Sequence, residues 1–271
     1  MDGHKIIFLI ATPRSLSTAF SRMMMQRKDF KLFNEPALSI YNCKHYPGSH
    51  VIYQSEHTDY EALARNLLLE VNYQNVFIKE MSYAFEDFIL KNLSLLKLKN
   101  IHFIFLLRNP HHTVISLFKK FHPDFFLNGS INLNELAGYQ SLKRSYELVK
   151  LQAKNKPYII QAESLYQDTE TTIKNFCTVV NLDFIPETLA WNNLGNDFNG
   201  TAWQENKNFD LMYHWHREAI TSTHFYSPTQ YDLDSFNSPT FSELKVEAHR
   251  QLCSRAYYNN KPFYDFMVNE L

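Results

Sequence analysis

Two segments of this sequence set an arginine and nearby hydroxyls at the point where an apolar run gives way to a helical pattern. The first is Thr12-Pro13-Arg14-Ser15-Leu16-Ser17-Thr18, directly after the run Ile6-Ile7-Phe8-Leu9-Ile10-Ala11. The second is Arg108-Asn109-Pro110, directly after Ile101 to Leu107, with Ser116 eight residues beyond Arg108. A strand that runs straight into a helix aims the helix's free N–H groups and positive end at whatever lies above the turn, and an anion is favoured there. Arg14 adds a permanent, fork-shaped charge. Ser15, Ser17 and Thr18 add donors, and each charge-assisted hydrogen bond contributes roughly 1.5–3 kcal/mol. Arg108 falls at the carboxyl edge of a sheet, where α/β proteins bind ligands, and the following helix can bring Ser116 back beneath it. One phosphate site suggests a nucleotide; two suggest a nucleotide phosphorylated at both ends of its ribose.

Each motif also has a plain structural reading. Thr12 to Thr18 is equally the shape of a strand–turn–helix joint whose Ser and Thr side chains cap the helix. Arg108 and Ser116 alone read as a solvated arginine and a helical serine. The first segment is not the nucleotide-triphosphatase loop G-x-x-x-x-G-K-[ST]. No glycine lies between Gly3 and Gly48, and the turn holds no lysine. The magnesium-holding arrangement of kinases is therefore weakly supported.

The elements that must position these residues follow from hydrophobic period. Ile6 to Ala11 and Ile101 to Leu107 read as central strands covered on both faces. Phe30 to Phe33, Asn75 to Lys79 and Tyr158 to Gln161 read as further strands. Helical patterns cover Ser17 to Arg27, Tyr60 to Asn72 with Asp59 as N-cap, Phe85 to Leu96, Pro110 to about Phe121, Asn134 to Lys154, Asp168 to Asn181 and Ser242 to Phe266. Asn42 to Asp59, with Pro47-Gly48, reads as a surface loop. Repeated alternation of strand and helix implies a parallel sheet with helices on both faces. From about Pro186 to Pro239 the order is lost, and residues 186–240 read as a lid or cap over the site. Residues 1–271 are thus expected to form a single domain.

The bulk numbers narrow the partners. The chain is 45% hydrophobic and 20% charged with a net charge of −1, the composition of a globular protein and not of one that binds nucleic acid through bulk positive charge. Its three cysteines, Cys43, Cys177 and Cys253, form no disulfide framework and suit a reducing compartment. The N-terminal apolar run is too short for a signal peptide or a membrane span, so a cytoplasmic protein with no membrane partner is expected. Aromatic residues make up 15% of the chain, mostly as core but also suited to lining a small-molecule pocket.

Taken together and in this order, the two segments resemble the sulfotransferases that use 3′-phosphoadenosine 5′-phosphosulfate (PAPS). Pro13-Arg14-Ser15-Leu16-Ser17-Thr18 looks like that family's 5′-phosphosulfate loop. Arg108-Asn109-Pro110 with Ser116 and Phe121 looks like its 3′-phosphate motif. The segment Thr172 to Leu182 resembles a later helix of the family, after a strand ending in an acidic residue, here Glu163. The likeness covers roughly residues 5–36, 75–122 and 157–190. It implies a three-layer α/β sandwich of the P-loop NTPase-like sulfotransferase type, closest to the small bacterial members. It also implies PAPS as co-substrate, no metal, and a small-molecule acceptor bearing a hydroxyl or amine.

Site residues follow from the resemblance. Pro13, Arg14, Ser15, Leu16, Ser17, Thr18, Arg108 and Ser116 would bind the nucleotide, and Arg14 would stabilise charge growing on the leaving phosphate. Glu35, in Asn34-Glu35-Pro36 after the second strand, is the first choice of base for the acceptor's proton. Lys79 would stabilise the transferring group; its plain alternative is a strand-end surface lysine. Cytosolic members place a catalytic histidine two residues beyond that lysine, where this chain has Met81, which moves the base role to Glu35 or, second, Glu80. Leu16 stands where many members have glycine, and Arg14 where the cytosolic branch has lysine. The family's C-terminal basic clamp is not evident, and Arg217 and Arg255 are its candidate substitutes. His214-x-His216 and Cys43-x-His45 are the nearest approaches to metal-ligand spacing. Trp203, His214, Trp215, His216, His224 and Phe225 are expected to shape the acceptor side of the cap. The rival readings are a phosphate-loop small-molecule kinase and a catalytically inactive nucleotide-binding protein on the same scaffold.

Overall fold

The computed structural model describes residues 3–45, 59–193, 209–226, 241 and 244–271. Among them, five parallel strands form one sheet: β1 (Ile6–Ala11), β2 (Phe30–Asn34), β3 (Asn75–Met81), β4 (Ile101–Leu107) and β5 (Tyr158–Gln161). Their order is β2-β3-β1-β4-β5. The two strands that carry the arginine motifs are therefore neighbours at the centre, with Ala11 opposite Leu106.

β1 shows why the sheet has three layers. Its six residues are all buried, but they alternate between two cores. Ile6, Phe8 and Ile10 pack against Leu63 and Leu67 of α3 (Tyr60–Glu70), Phe85 and Phe88 of α4 (Ser82–Lys91), and Leu142 and Tyr146 of α8 (Tyr139–Gln152). Ile7, Leu9 and Ala11 face Phe20, Met23 and Met24 of α1 (Ser17–Gln26) and Phe176 of α10 (Thr169–Val179). The two-residue period of a strand thus feeds both faces of a doubly covered sheet. Phe8 stacks on Phe103 of β4 at 5.6 Å between centroids, and full burial of such a side chain contributes about 1.5–3 kcal/mol. The fold is the α/β three-layer sandwich with a central parallel sheet that the sequence leads one to expect.

A third cluster lies beyond the sheet, where α5 (Pro110–Phe118) meets α7 (Leu133–Leu136) and α12 (Glu247–Val268) through Val114, Leu117, Leu133 and Tyr257. The remaining helices are α2 (Pro36–His45), α6 (Asp124–Leu127), α9 (Ser164–Gln167) and α11 (Phe209–Thr221).

Several expectations are corrected. The helix anticipated over Asn134 to Lys154 is two helices, α7 and α8, parted at Gly138. Gly138 has φ 77°, and a Cβ there would collide with Ser82 Oγ, which donates to the Gly138 carbonyl at 2.7 Å. α4 ends at Lys91 and continues only as a 3-10 turn, Leu93–Lys97. The loop expected from Asn42 begins instead inside α2, which runs to His45; residues 46–58 lie outside the described ones. Order is not lost throughout Pro186 to Pro239 either, because α11 is a regular helix of 13 residues. The sequence has neither glycine nor proline from Thr201 to Ser227, which leaves a helix room to form there. Residues 194–208 and 227–240 of the expected cap, Trp203 among them, lie outside the described residues, as do 242 and 243, and the final helix starts at Glu247.

Candidate active site

The turn after β1 is held in an unusual backbone shape. Arg14 and Leu16 both take positive φ, 61° and 66°, a region that costs an L-residue roughly 1–2 kcal/mol. Leu16 is the N-cap of α1 and has no oxygen with which to cap it. Ser15 does not cap either: its hydroxyl turns back and donates to the Thr12 carbonyl at 2.6 Å. The first-turn amides of α1 therefore face the space above the sheet without the capping side chain that the plain structural reading requires.

The second motif braces the first. Arg108, at the end of β4, is 3% exposed, and its Nη1 donates to the Arg14 carbonyl at 2.8 Å. The Arg108 turn is itself fixed from below. The Tyr139 hydroxyl donates to the Arg108 carbonyl and lies 2.9 Å from Thr113 Oγ1. Glu163 accepts from the Asn109 amide at 3.0 Å, and the Asn109 side chain caps α5 through the His111 amide at 2.9 Å. The Ser116 hydroxyl accepts from Arg14 Nε at 3.1 Å, which ties the serine of the second motif to the first. The buried Arg108 Nε has no hydrogen-bond partner among the described residues. An anionic ligand above the sheet would supply one.

β3 brings the candidate chemical groups to the same edge. Lys79 lies opposite Leu9 of β1 and Asn34 of β2, on the α1 side of the sheet, and is 1% exposed. The plain reading of Lys79 as a surface lysine is thereby excluded. Its ammonium pairs with the Glu35 carboxylate, and the Glu35 amide donates to the Lys79 carbonyl at 2.7 Å. Glu35 has φ 57°, the third positive value among residues at this edge. Glu80, one residue on, faces the opposite side and accepts from the Ala37 amide of α2 at 2.5 Å. Burial first, and the nearby Glu35 charge as well, push its carboxyl well above the ordinary range. Met81 leads into α4.

α11 lies across the loop, an arrangement that sequence reasoning missed. Arg14 Nη1 donates to the Trp215 carbonyl at 2.8 Å and Nη2 to Glu218 at 3.2 Å. Glu218 also pairs with Lys120 at 3.2 Å. Burial works to raise the Glu218 carboxyl, but Arg14 and Lys120 outweigh it and hold it below its ordinary value. His216 Nδ1 lies 3.0 Å from Thr18 Oγ1. Burial, then the charges of Lys79, Arg14 and Lys120, drive its pKa well below 6.5, so the ring is neutral at physiological pH. The far end of α11 is pinned by Arg22 of α1, fully buried, which donates to the carbonyls of Ala219 and Ile220 at 2.8 Å each. Those are carbonyls that a helix end leaves without an internal partner. Of the residues expected to shape the cap, Trp215 meets Phe121 edge-on at 4.9 Å, and Phe225 is buried against Phe20 and Trp191. His45 stacks on Tyr41 and faces Asp87. Among the described residues no three histidine, cysteine or carboxylate side chains gather as a metal set, and no helix is long and apolar enough to cross a membrane.

Comparison with known proteins places the fold. The chain matches no family model. It is similar to two curated Arabidopsis thaliana proteins, branched-chain-amino-acid aminotransferase-like protein 2 (26% identical over 234 residues, 84% of this chain and 37% of the relative) and protein 1 (27% over 240 residues, 85% and 38%). The chain thus spans well under half the length of these relatives, 37% and 38%. Among solved structures, the sulfotransferase domain of the Synechococcus PCC 7002 olefin synthase superposes with a TM-score of 0.50 at 16% identity, covering 94% of this chain and 96% of that one. Mouse sulfotransferase SULT7A1 in complex with PAP does so with a TM-score of 0.50 at 11% identity, covering 97% and 87%. With the five-stranded parallel sheet and its helical layers matched over nearly the whole described chain, the protein has the sulfotransferase fold.

Proposed function

We propose that the protein transfers a sulfuryl group from PAPS to a hydroxyl or amine of a small-molecule acceptor. The observation that carries this reading is the coupling of the two strand-end arginines. Arg108 donates to the backbone of Arg14 while keeping a buried Nε in want of an acceptor. A nucleotide with phosphates on both sides of its ribose is the ligand chemistry that two joined anion sites suit.

In this reading the acceptor oxygen or nitrogen attacks sulfur in line, its proton passes to the Glu35 carboxylate, and the bond from sulfur to the bridging phosphate oxygen breaks. The products are the sulfated acceptor and 3′-phosphoadenosine 5′-phosphate. Such a transfer passes through a loose transition state, so positioning and charge stabilisation do most of the catalysis. Arg14 and the first-turn amides of α1 meet the charge that grows on the leaving phosphate. Lys79 orients Glu35, with which it pairs, and stabilises the transferring group. The aromatic content and the near-zero net charge favour a small apolar or phenolic acceptor over a polyanionic glycan.

Calorimetric titration with 3′-phosphoadenosine 5′-phosphate, beside ATP with magnesium, tests the reading. Micromolar binding of the bisphosphate without metal, followed by label transfer from PAPS in an acceptor screen, is the expected result. Binding of ATP with magnesium alone would overturn it in favour of a kinase. Bisphosphate binding with no transfer to any acceptor would favour an inactive nucleotide-binding protein.

A further inference from the structure

All three nitrogens of the Arg14 guanidinium are engaged, and two of them by α11. Nε meets Ser116, Nη1 the Trp215 carbonyl and Nη2 the Glu218 carboxylate. Glu218 does not stop at Arg14. Its other oxygen takes Lys120, at 3.2 Å, from the segment that follows α5. One carboxylate therefore bridges two cations, one from the turn after β1 and one from the segment after α5. Both cations are largely covered, with side chains 19% and 16% exposed, while Glu218 is 44% exposed. The cations are built in and the anion sits on the outside. Two covered cations converging on one oxyanion form the arrangement that recognises a phosphate or sulfate group.

We propose that Arg14 and Lys120 form a two-cation oxyanion site whose resident ligand, the Glu218 carboxylate, is displaced when the co-substrate binds. Lys120 is thereby a binding residue, and Glu218 an internal competitor that lowers the apparent affinity for the anion. The architecture of α11 suits this exchange. Arg22 fastens its C-terminal carbonyls to α1, so the helix stays attached when Glu218 lets go. The identity of the displacing group as a phosphosulfate rests on the sulfotransferase reading, but the two-cation site does not.

The test is titration of wild type, Glu218→Gln and Lys120→Met with two probes, 3′-phosphoadenosine 5′-phosphate and inorganic sulfate, with thermal unfolding followed in parallel. Lys119→Ala, an exposed cation next to Lys120 in sequence, is the control. Removing a competing carboxylate held by two partly exposed pairs should tighten both probes about tenfold in Glu218→Gln. Lys120→Met should weaken both by a similar factor, and Lys119→Ala should match wild type. Glu218→Gln leaves the two cations facing each other, so its melting temperature should fall in chloride buffer and recover on adding sulfate. Recovery by sulfate supports the site even where the variant folds poorly. Equal or weaker binding of both probes in Glu218→Gln, with Lys120→Met unchanged, overturns the proposal. Tighter sulfate in Glu218→Gln with no bisphosphate binding by any variant supports the oxyanion site and overturns the nucleotide reading instead.

Discussion

Arg108 Nη1 donates to the carbonyl oxygen of Arg14 at 2.8 Å, so the arginine of the second motif holds the backbone of the first at a residue with φ 61°. The two motifs are one structure and not two independent sites. A strained turn persists only where its surroundings over-determine it. Arg108 is the part of those surroundings that comes from β4, and Tyr139 and Glu163 hold it there.

Replacing Arg108 should therefore damage the loop as well as a ligand contact. Arg108→Ala is expected to weaken 3′-phosphoadenosine 5′-phosphate binding at least tenfold, about 1.4 kcal/mol. Arg108→Lys keeps the charge but loses the fork, and should recover only part of the affinity. Calorimetry on the three proteins reads the difference. Wild-type affinity in Arg108→Ala would remove Arg108 from the site.

Leu16 gives a direct measure of the strain. Its side chain packs against the core on the α1 side of the sheet, so both Leu16→Gly and Leu16→Ala lose the same contacts. Only glycine is at ease at φ 66°. Leu16→Gly should therefore be more stable than Leu16→Ala by about 1 kcal/mol in urea unfolding, after allowing for glycine's larger unfolded-state entropy. An alanine variant as stable as the glycine variant would mean that the turn is relaxed.

The fold and its two motifs were legible because β1 and β4 are continuous apolar runs, buried on both faces, that end abruptly at arginines. Patterns of that strength leave few alternatives. What was not legible depended on partners far apart in the chain. Ser116 lies eight residues from Arg108, a spacing that suggests a shared ligand, yet it meets Arg14, 102 residues away. Glu218 and Lys120 carry no local signal, since each is an ordinary charged residue until α11 crosses the loop. α11 itself was hidden by its composition. Trp215, His216 and their neighbours resemble a pocket lining more than a helix, and the informative feature was the long stretch without glycine or proline. Gly138 carried a clear signal as a breaker within a helical pattern, and the apolar period on either side outweighed it.

Glu80 sets a pH dependence whose sign is fixed. Its folded pKa lies well above the ordinary 4.5, chiefly through burial, so the folded state binds more protons than the unfolded state over that interval. The associated stability is complete below about pH 4.5 and is lost as the pH rises toward the folded value. Glu80→Gln keeps an oxygen for the Ala37 amide and has no proton to lose. Its melting temperature relative to wild type should therefore climb as the pH is raised from 4.5. A difference that does not change with pH would show that Glu80 titrates normally.

Glu35 and Lys79 must be tested as a pair, because they form an ion pair in which Lys79 is 1% exposed. Glu35→Gln strands a buried ammonium and should cost about 3 kcal/mol of stability, apart from any role in catalysis. Glu35→Gln/Lys79→Met removes both charges and should restore most of that stability. If Glu35 is the base, turnover stays down about 100-fold or more in both variants, while affinity for 3′-phosphoadenosine 5′-phosphate is kept. If Glu35 only holds Lys79, turnover falls with stability in the single variant and recovers with it in the double variant. The comparison of melting temperature, bisphosphate affinity and kcat across the two variants separates these outcomes. Recovered turnover in the double variant would transfer the base role away from Glu35, and the neutral His216 beside Thr18 would be the next group to replace.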